Sequence, residues 1–353
     1  MSNKLRIGII GAGTISCSHL EAYRKNPDAE VCIVCDVFEE NARQRAAEYN
    51  IPAWCTDARQ ILDDPTIDAV SIVTPTFTHK DMVLAALAAG KHVLCEKPPA
   101  LNADEVAQCE KAALEAGKLL MYGFVCRFTK ETEFLKAYID SGAMGQIYYA
   151  EASRLFRCFK IGGWFIDKEK SGGGVLIDGV IHELDSILYL MGHPKIHSVK
   201  GFSTHVNSSL PDTMRGVGGG WKSSDVQKSQ RTVETFAGGL IRFENGANLF
   251  VKASMVLNTV HDGRKYELIG TKSGAAFDAD GLKLLSISDT GYYLESAPVL
   301  KAEVDLFGKE IGHFVDCCLG KAECICKPYQ ATQVMQIIDA IYRSAETGEE
   351  IVF

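Results

Sequence analysis

The sequence predicts an α/β chain. A doubly wound parallel sheet comes first, followed by an α+β part with a largely antiparallel sheet. Three observations predict it. An apolar run over residues 5–10 ends in a glycine turn that opens a helical pattern. Strand and helix patterns then alternate through about residue 124. From about residue 195 to 295 strand patterns group together, flanked by helical segments on both sides. A chain of 353 residues exceeds what one core usually fills, so two domains are expected, 1–125 and 126–353.

The first element is Leu5-Arg6-Ile7-Gly8-Ile9-Ile10, followed by Gly11-Ala12-Gly13-Thr14-Ile15-Ser16. Gly11 suits a tight exit from a strand, and Gly13 lets backbone approach a pyrophosphate with no Cβ in the way. Ser16 stands where a small residue keeps helix and strand close. The start of the helix, at Thr14 and Ile15, offers free N–H groups and a partial positive charge to phosphate. The second strand ends at Asp36, 23 residues after Gly13. A carboxylate there accepts hydrogen bonds from ribose hydroxyls and repels a 2′-phosphate, so the expected dinucleotide is NAD rather than NADP. Val37 and Phe38 add no positive charge that would hold such a phosphate.

Further along, residues 39–50 and 56–63 read as helices, 67–73 as a strand, 81–89 as a helix stopped by Gly90, and 91–97 as a strand entering Pro98-Pro99. A helix over 103–116 closes at Gly117, and 119–124 is another strand. In such a plan ligand groups gather at the carboxyl ends of strands, where Thr74, Lys97 and 122–127 fall. Beyond residue 126 the expected elements are a helix over 131–141, a strand over 146–156, and a glycine turn continuing as a helix over 172–191. Strands follow at 196–206, 232–243, 247–256 and 264–269, then terminal helices at 304–319 and 329–346. Residues 205–230 are rich in Gly and Ser with little periodicity and are a candidate substrate-side lid.

A net charge of −8 argues against nucleic-acid or anionic-membrane partners, and no run of 18 apolar residues suggests a membrane span. The first residues lead straight into a strand, which leaves no room for a signal peptide and points to the cytoplasm. Twelve cysteines are many, yet they form no disulfide framework. Cys32, Cys35 and Cys95 fall on buried strands, where thiols behave as small apolar groups. Cys317-Cys318 with Cys324-x-Cys326 resembles a zinc pattern only loosely, since two Cys-x-x-Cys pairs are lacking, and no metal ligand is assigned.

Taken in order, these pieces resemble the Gfo/Idh/MocA family of glucose–fructose oxidoreductase and inositol dehydrogenase type. They are the glycine turn, Thr74-Pro75 with His79, Glu96-Lys97-Pro98, Gly123-Phe124 with Arg127-Phe128, and Gly172-Gly173-Gly174 through Asp178 and His182. Later echoes are Val233-Glu234-Thr235, Arg242 through Ala247 and Gly270-Thr271-Lys272. The resemblance covers nearly the whole chain. It implies an N-terminal Rossmann domain and a C-terminal domain on a large open sheet that commonly makes a homo-oligomer contact, here a dimer or tetramer. Two departures stand out: Thr76 where the family often has Asn, and Thr129 where Pro is frequent after Arg-Phe.

The resemblance places Lys97, Asp178 and His182 around a reacting carbinol. It implies cofactor contacts from Thr74, Pro75, His79 and Glu96, with Arg127 and Trp164 as candidates for lining a substrate pocket. The residue types fit the chemistry. Removing hydride from a secondary alcohol leaves a cation unless the hydroxyl proton also leaves. A histidine, with a reference pKa of about 6.5, is suited to take that proton. Lys97 can hydrogen-bond the same oxygen, and Asp178 can bind a neighbouring hydroxyl or orient the imidazole. Asp178 and His182 are four apart, on one face if the segment is helical. The bland alternative for this pair is a helix-capping carboxylate and a satisfied core histidine.

The expected function is NAD(H)-dependent oxidation of a ring secondary alcohol in a sugar, glycoside or cyclitol, or reduction of the matching ketone. The rivals are an NAD-retaining glycosidase working by transient oxidation and a non-catalytic dinucleotide-binding regulator. The presence of Lys97, Asp178 and His182 together counts against the regulator.

Overall fold

The structure is a computed structural model that describes residues 4–159, 161–205, 231–260, 262–300 and 304–353. The candidate lid at 205–230 lies, but for His205, outside the described residues. The chain forms two compact units, Met1–Val125 with Val304–Thr332, and Cys126–Glu303 with Gln333–Phe353. This corrects the expected division in one respect. Residues 304–332, assigned from sequence to the second unit, pack with the first.

In the first unit the strands are β1 (Leu5–Ile10), β2 (Ala29–Cys35), β3 (Ala53–Cys55), β4 (Ala69–Ile72), β5 (His92–Cys95) and β6 (Leu120–Tyr122). They form one parallel sheet in the order β3-β2-β1-β4-β5-β6. This is the Rossmann order, with its reversal beside β1. The connecting helices are α1 (Thr14–Lys25), α2 (Glu39–Tyr49), α3 (Arg59–Leu62), α4 (His79–Ala88) and α5 (Ala103–Ala116). Both sheet faces are covered, so the strands read as continuous apolar runs: Ile7, Ile9, Val34, Val70, Ile72 and Leu94 are fully buried. Helix α5 shows how the sequence fixes its own ends. The Asn102 side chain accepts from the Glu105 N–H at the start, and Gly117 takes a left-handed conformation at the stop.

Helix α1 buries Leu20, Ala22 and Tyr23, and the Tyr23 hydroxyl pairs with Ser71 Oγ at 2.8 Å. The returning segment adds helix Leu306–Cys318, labelled α9 in chain order, which lies against α1 and buries Ile311, Phe314 and Val315. The surface pairs Lys25–Asp305 at 3.0 Å and Lys321–Asp28 flank this contact. Exposed pairs of this kind add little, and the apolar burial holds the helix.

The second unit carries β7 (Ile147–Leu155), β8 (Ile196–Thr204), β9 (Phe236–Phe243), β10 (Asn248–Ser254), β11 (Gly263–Gly270), β12 (Ser273–Asp278), β13 (Gly281–Ile287), β14 (Tyr293–Ser296) and β15 (Ile351–Val352). They make one open sheet in the order β14-β13-β12-β11-β7-β10-β9-β8-β15. All neighbours are antiparallel except β7 and β10, which run parallel with Tyr149 opposite Asn248. The helices are α6 (Lys130–Asp140), α7 (Lys168–Ser171), α8 (Ile181–Leu190) and α10 (Pro328–Thr347), which begins before the boundary at residue 332. Thr129 takes the N-cap of α6, accepting from the Thr132 N–H, a task that a proline side chain does not perform.

Helix α10 rests directly on the sheet. A Cβ at Gly201 would stand 2.3 Å from the Ile341 carbonyl, and the Gly201 N–H donates to Ser344 Oγ at 2.8 Å. Among the described residues no helix is long and apolar enough to cross a membrane.

Candidate functional site

The glycine turn after β1 is built as its spacing requires. Gly11 has φ of +106°, and a Cβ there would meet the Val73 carbonyl oxygen at 2.6 Å. Both the conformation and the close approach exclude a side chain. Gly13 is exposed, with nothing within 4 Å of where a Cβ would sit. The backbone there is open to the close approach of a ligand. Ser16 is fully buried, and its hydroxyl donates to the Gly13 carbonyl at 2.6 Å. Helix α1 begins at Thr14 with no side-chain cap and no acidic residue in its first turn. The orphan N–H groups and the positive end of the helix dipole are thus left for an anion. These features fit the pyrophosphate of a dinucleotide.

Asp36 stands at the end of β2. Its Oδ2 accepts from the Ala12 N–H at 2.9 Å and its Oδ1 from the Phe38 N–H at 2.9 Å. The carboxylate therefore holds the glycine turn and keeps further lone pairs that could accept from a ligand's hydroxyls. Beside it Val37 and Phe38 are exposed apolar side chains, as an adenine ring would require. Asp36→Asn keeps an acceptor for the turn and removes the charge. A hydrogen bond to a charged group contributes about 1.5–3 kcal/mol. The ratio of kcat/KM with NAD to that with NADP is therefore expected to fall roughly 10- to 100-fold, measured by initial rates with both cofactors.

Two further loops of this unit converge through His79. Its Nδ1 lies 2.8 Å from the Pro98 carbonyl and its Nε2 2.8 Å from the Thr74 carbonyl. The ring thereby ties Thr74-Pro75 to the loop carrying Lys97, and burial lowers its pKa from the ordinary histidine value. Thr74 is further fixed by Thr78, hydroxyl to hydroxyl at 2.6 Å. Glu96 is buried at the end of β5, where Oε1 meets His19 Nε2 at 2.9 Å and Oε2 accepts the Lys97 N–H at 3.0 Å. Burial opposes its ionised form, but His19 and Lys97 prevail and its pKa is lowered. Lys97 itself is half-buried, with its backbone set by this carboxylate on one side and by Pro98 on the other. His19 is a supporting residue that sequence reading missed. Its signal was its place one turn after Ser16 on a helix whose start faces the cofactor.

In the second unit Gly172 takes a left-handed φ of +81° at the end of α7, and Gly173 and Gly174 are explained by Tyr342 and Glu234. A Cβ at Gly174 would lie 2.3 Å from the Glu234 carbonyl, and one at Gly173 would lie 2.2 Å from the Tyr342 hydroxyl. The buried Glu234 carboxylate accepts from the Gly174 N–H at 2.8 Å, the Leu176 N–H at 3.0 Å and the Tyr342 hydroxyl at 2.9 Å. Asp178 follows in a wide π-helical turn, Val175–Gly179, in which the Val180 N–H reaches the Val175 carbonyl at 3.1 Å. Such turns recur at functional sites. His182 lies in the first turn of α8. The expected single helix over 172–191 is therefore two segments, and the simple one-face argument for Asp178 and His182 does not hold as drawn.

His182 borders a small recess with Cys126, Thr132, Glu183, Arg264 and Tyr266. Glu183 is buried there against Arg154, at 3.2 Å, and burial pushes its pKa up. Arg127 differs from its expected substrate contact. Its guanidinium has no exposed surface and grips Asp185 through Nε at 2.8 Å and Nη2 at 2.6 Å. That is the geometry of an internal support for α8. Trp164 is half-buried in a short turn, stacked on Phe165 with centroids 3.8 Å apart.

Comparison with known proteins matches residues 5–124 to the oxidoreductase family, NAD-binding Rossmann fold, of GFO_IDH_MocA. Residues 136–352 match the C-terminal alpha/beta domain of the same family. The chain is 32% identical to D-glucoside 3-dehydrogenase of Escherichia coli (strain K12), covering 99% of this chain and 98% of that one. It is 29% identical to scyllo-inositol 2-dehydrogenase (NAD(+)) of Bacillus subtilis (strain 168), covering 99% and 96%. A solved levoglucosan dehydrogenase in complex with NADH and levoglucosan shares the fold, with TM-score 0.85, 24% identity and 99% of each chain covered.

Proposed function

Since the chain belongs to the GFO_IDH_MocA oxidoreductase family and carries its NAD-binding Rossmann domain, we propose that it oxidises a ring secondary alcohol of a glycoside, sugar or cyclitol. The observation that carries the substrate class is the 32% identity, end to end, with a glucoside dehydrogenase. When bound, NAD supplies the hydride acceptor.

The protein's own residues supply position and proton handling. In this reading the orphan N–H groups at the start of α1 bind the pyrophosphate and Asp36 binds the ribose hydroxyls. His182 takes the proton of the reacting hydroxyl. Lys97 hydrogen-bonds the same oxygen as negative charge develops on it. Asp178 binds a neighbouring hydroxyl or orients His182. Glu96, His19 and His79 act as positioning residues, because they hold the Lys97 loop rather than the substrate. Trp164 contributes apolar surface at the substrate, where sugar C–H faces pack well on an aromatic ring.

A panel of glucosides, aldoses and inositols assayed for NADH formation tests the reading. The expected result is turnover of at least one cyclic polyol or glycoside that depends on added NAD. Release of free aglycone with no net NADH would replace this reading by the NAD-retaining glycosidase.

A further inference from the structure

Helix α9 and the turn after it bring three soft metal ligands together, away from the dinucleotide cradle. His313 and Cys317 are four apart on α9 and share one face. Gly320, at φ of +69°, then turns the chain back, and the Asp316 carbonyl accepts the Lys321 N–H at 2.8 Å and the Ala322 N–H at 3.3 Å. That turn returns Cys324 to the helix. One donor atom from each of His313, Cys317 and Cys324 lies within 4.8 Å of the other two, and all three residues are half-buried.

The details suit a cation. His313 Nε2 is 3.4 Å from Cys317 Sγ and accepts the Ile325 N–H at 3.1 Å. Nε2 is therefore the unprotonated nitrogen, and metal ligation there exchanges its hydrogen bond from the Ile325 N–H for a metal–nitrogen bond. In tetrahedral zinc geometry, with Zn–S near 2.3 Å and Zn–N near 2.0–2.1 Å, a sulfur and a nitrogen ligand stand about 3.6 Å apart. The His313–Cys317 separation of 3.4 Å is close to this, and the other two pairs lie within 4.8 Å. Thiolate and imidazole together select a borderline-soft cation over calcium or magnesium.

We infer that His313, Cys317 and Cys324 form a binding site for a zinc-class divalent cation that clasps the end of α9 to the turn before α10. Binding forms two metal–sulfur bonds and one metal–nitrogen bond, and any thiol protons leave to solvent. The fourth position is filled by water. The site stands independently of the oxidoreductase reading, since none of its residues belongs to the cofactor cradle.

The test uses the full chain, reduced and stripped with a chelator, then titrated with zinc against a competing chromophoric chelator. It is repeated with cobalt(II) followed by absorption. One equivalent per chain is expected, with the strong visible bands of tetrahedral cobalt and a thiolate charge-transfer band in the near ultraviolet. Loss even of an outer-shell partner costs about 10- to 100-fold in affinity. Cys317→Ser and Cys324→Ser should therefore each weaken binding at least about 100-fold while far-ultraviolet circular dichroism stays unchanged. If either variant fails to fold, the cobalt spectrum of the wild-type chain decides. No stoichiometric zinc binding overturns the inference, as does binding that both variants retain. A metal-free Cys317–Cys324 disulfide as the only stable form, with no binding after reduction, also overturns it and marks the pair as a dithiol.

Discussion

Replacing His182 by Asn is expected to lower kcat/KM by roughly 10²–10⁴, the usual weight of a general acid–base group. Lys97→Met should fall in the same range, because in the proposed reading it removes the donor to the oxygen on which charge develops. Two controls make the assignment specific. NADH binding, followed by its fluorescence, should change little in His182→Asn, since the proposed cradle for the dinucleotide lies at the start of α1 and the end of β2. The pH–rate profile should lose its acidic limb, because a histidine acting as base is inactive when protonated and only its neutral form takes a proton. The double variant should lose little more than the worse single variant, as groups that act on one oxygen do not add independently. Turnover that survives Lys97→Met combined with His182→Asn would refute the proposed roles. His19→Ala offers a graded comparison. Its expected loss is smaller, because it reaches the reaction only through Glu96 and the backbone of Lys97.

The second large effect concerns stability. Arg127→Met leaves the Asp185 carboxylate buried with no counter-charge, and such a break costs about 3–5 kcal/mol. The pKa of Asp185 is already raised by burial despite the pairing, so a substantial part of the loss should appear as proton uptake by Asp185. Arg127→Met combined with Asp185→Leu should recover most of the stability, because a packed apolar pair needs no compensation for desolvation. Arg127→Lys should not, since a lysine cannot reproduce the two-pronged grip. Urea midpoints for the four proteins check the order. A double variant as unstable as Arg127→Met would show that the pair does more than neutralise itself.

What the sequence made readable was local. The run from Leu5 to Ser16 carries its strand, its turn and its helix start in a dozen residues, and Asp36 follows at a fixed interval. Alternation of strand and helix likewise disclosed the first sheet, because each parallel strand needs its own crossover. The parallel placement of β7 beside β10 was not readable, since the pairing joins Tyr149 to Asn248 across a long intervening stretch. Periodicity also showed the helix Leu306–Cys318 but not that it belongs with α1, because an apolar face does not name its partner. Asp178 looked helical for the same reason. A π turn and an α-helix are hard to tell apart by hydrophobic spacing over five residues, and the bond that distinguishes them runs from the Val180 N–H to the Val175 carbonyl. The motif singled out Arg127, whereas its burial depends on Asp185, 58 positions later. Cys317 and Cys324 stood out as cysteines, but His313, one helical turn before Cys317, completes the group only once the chain has doubled back.

The pairing of β7 has a further consequence for how a nascent chain matures. Both neighbours of this central strand, β10 and β11, are translated roughly 100 residues after it, and such non-local closure is slow. The flank of α1 that packs against α9 waits longer still, until that helix has been made. Neither unit is therefore finished when its first segment leaves the ribosome. The first unit is complete only once residues 304–332 have been made, and the second only once residues 333–353 have followed.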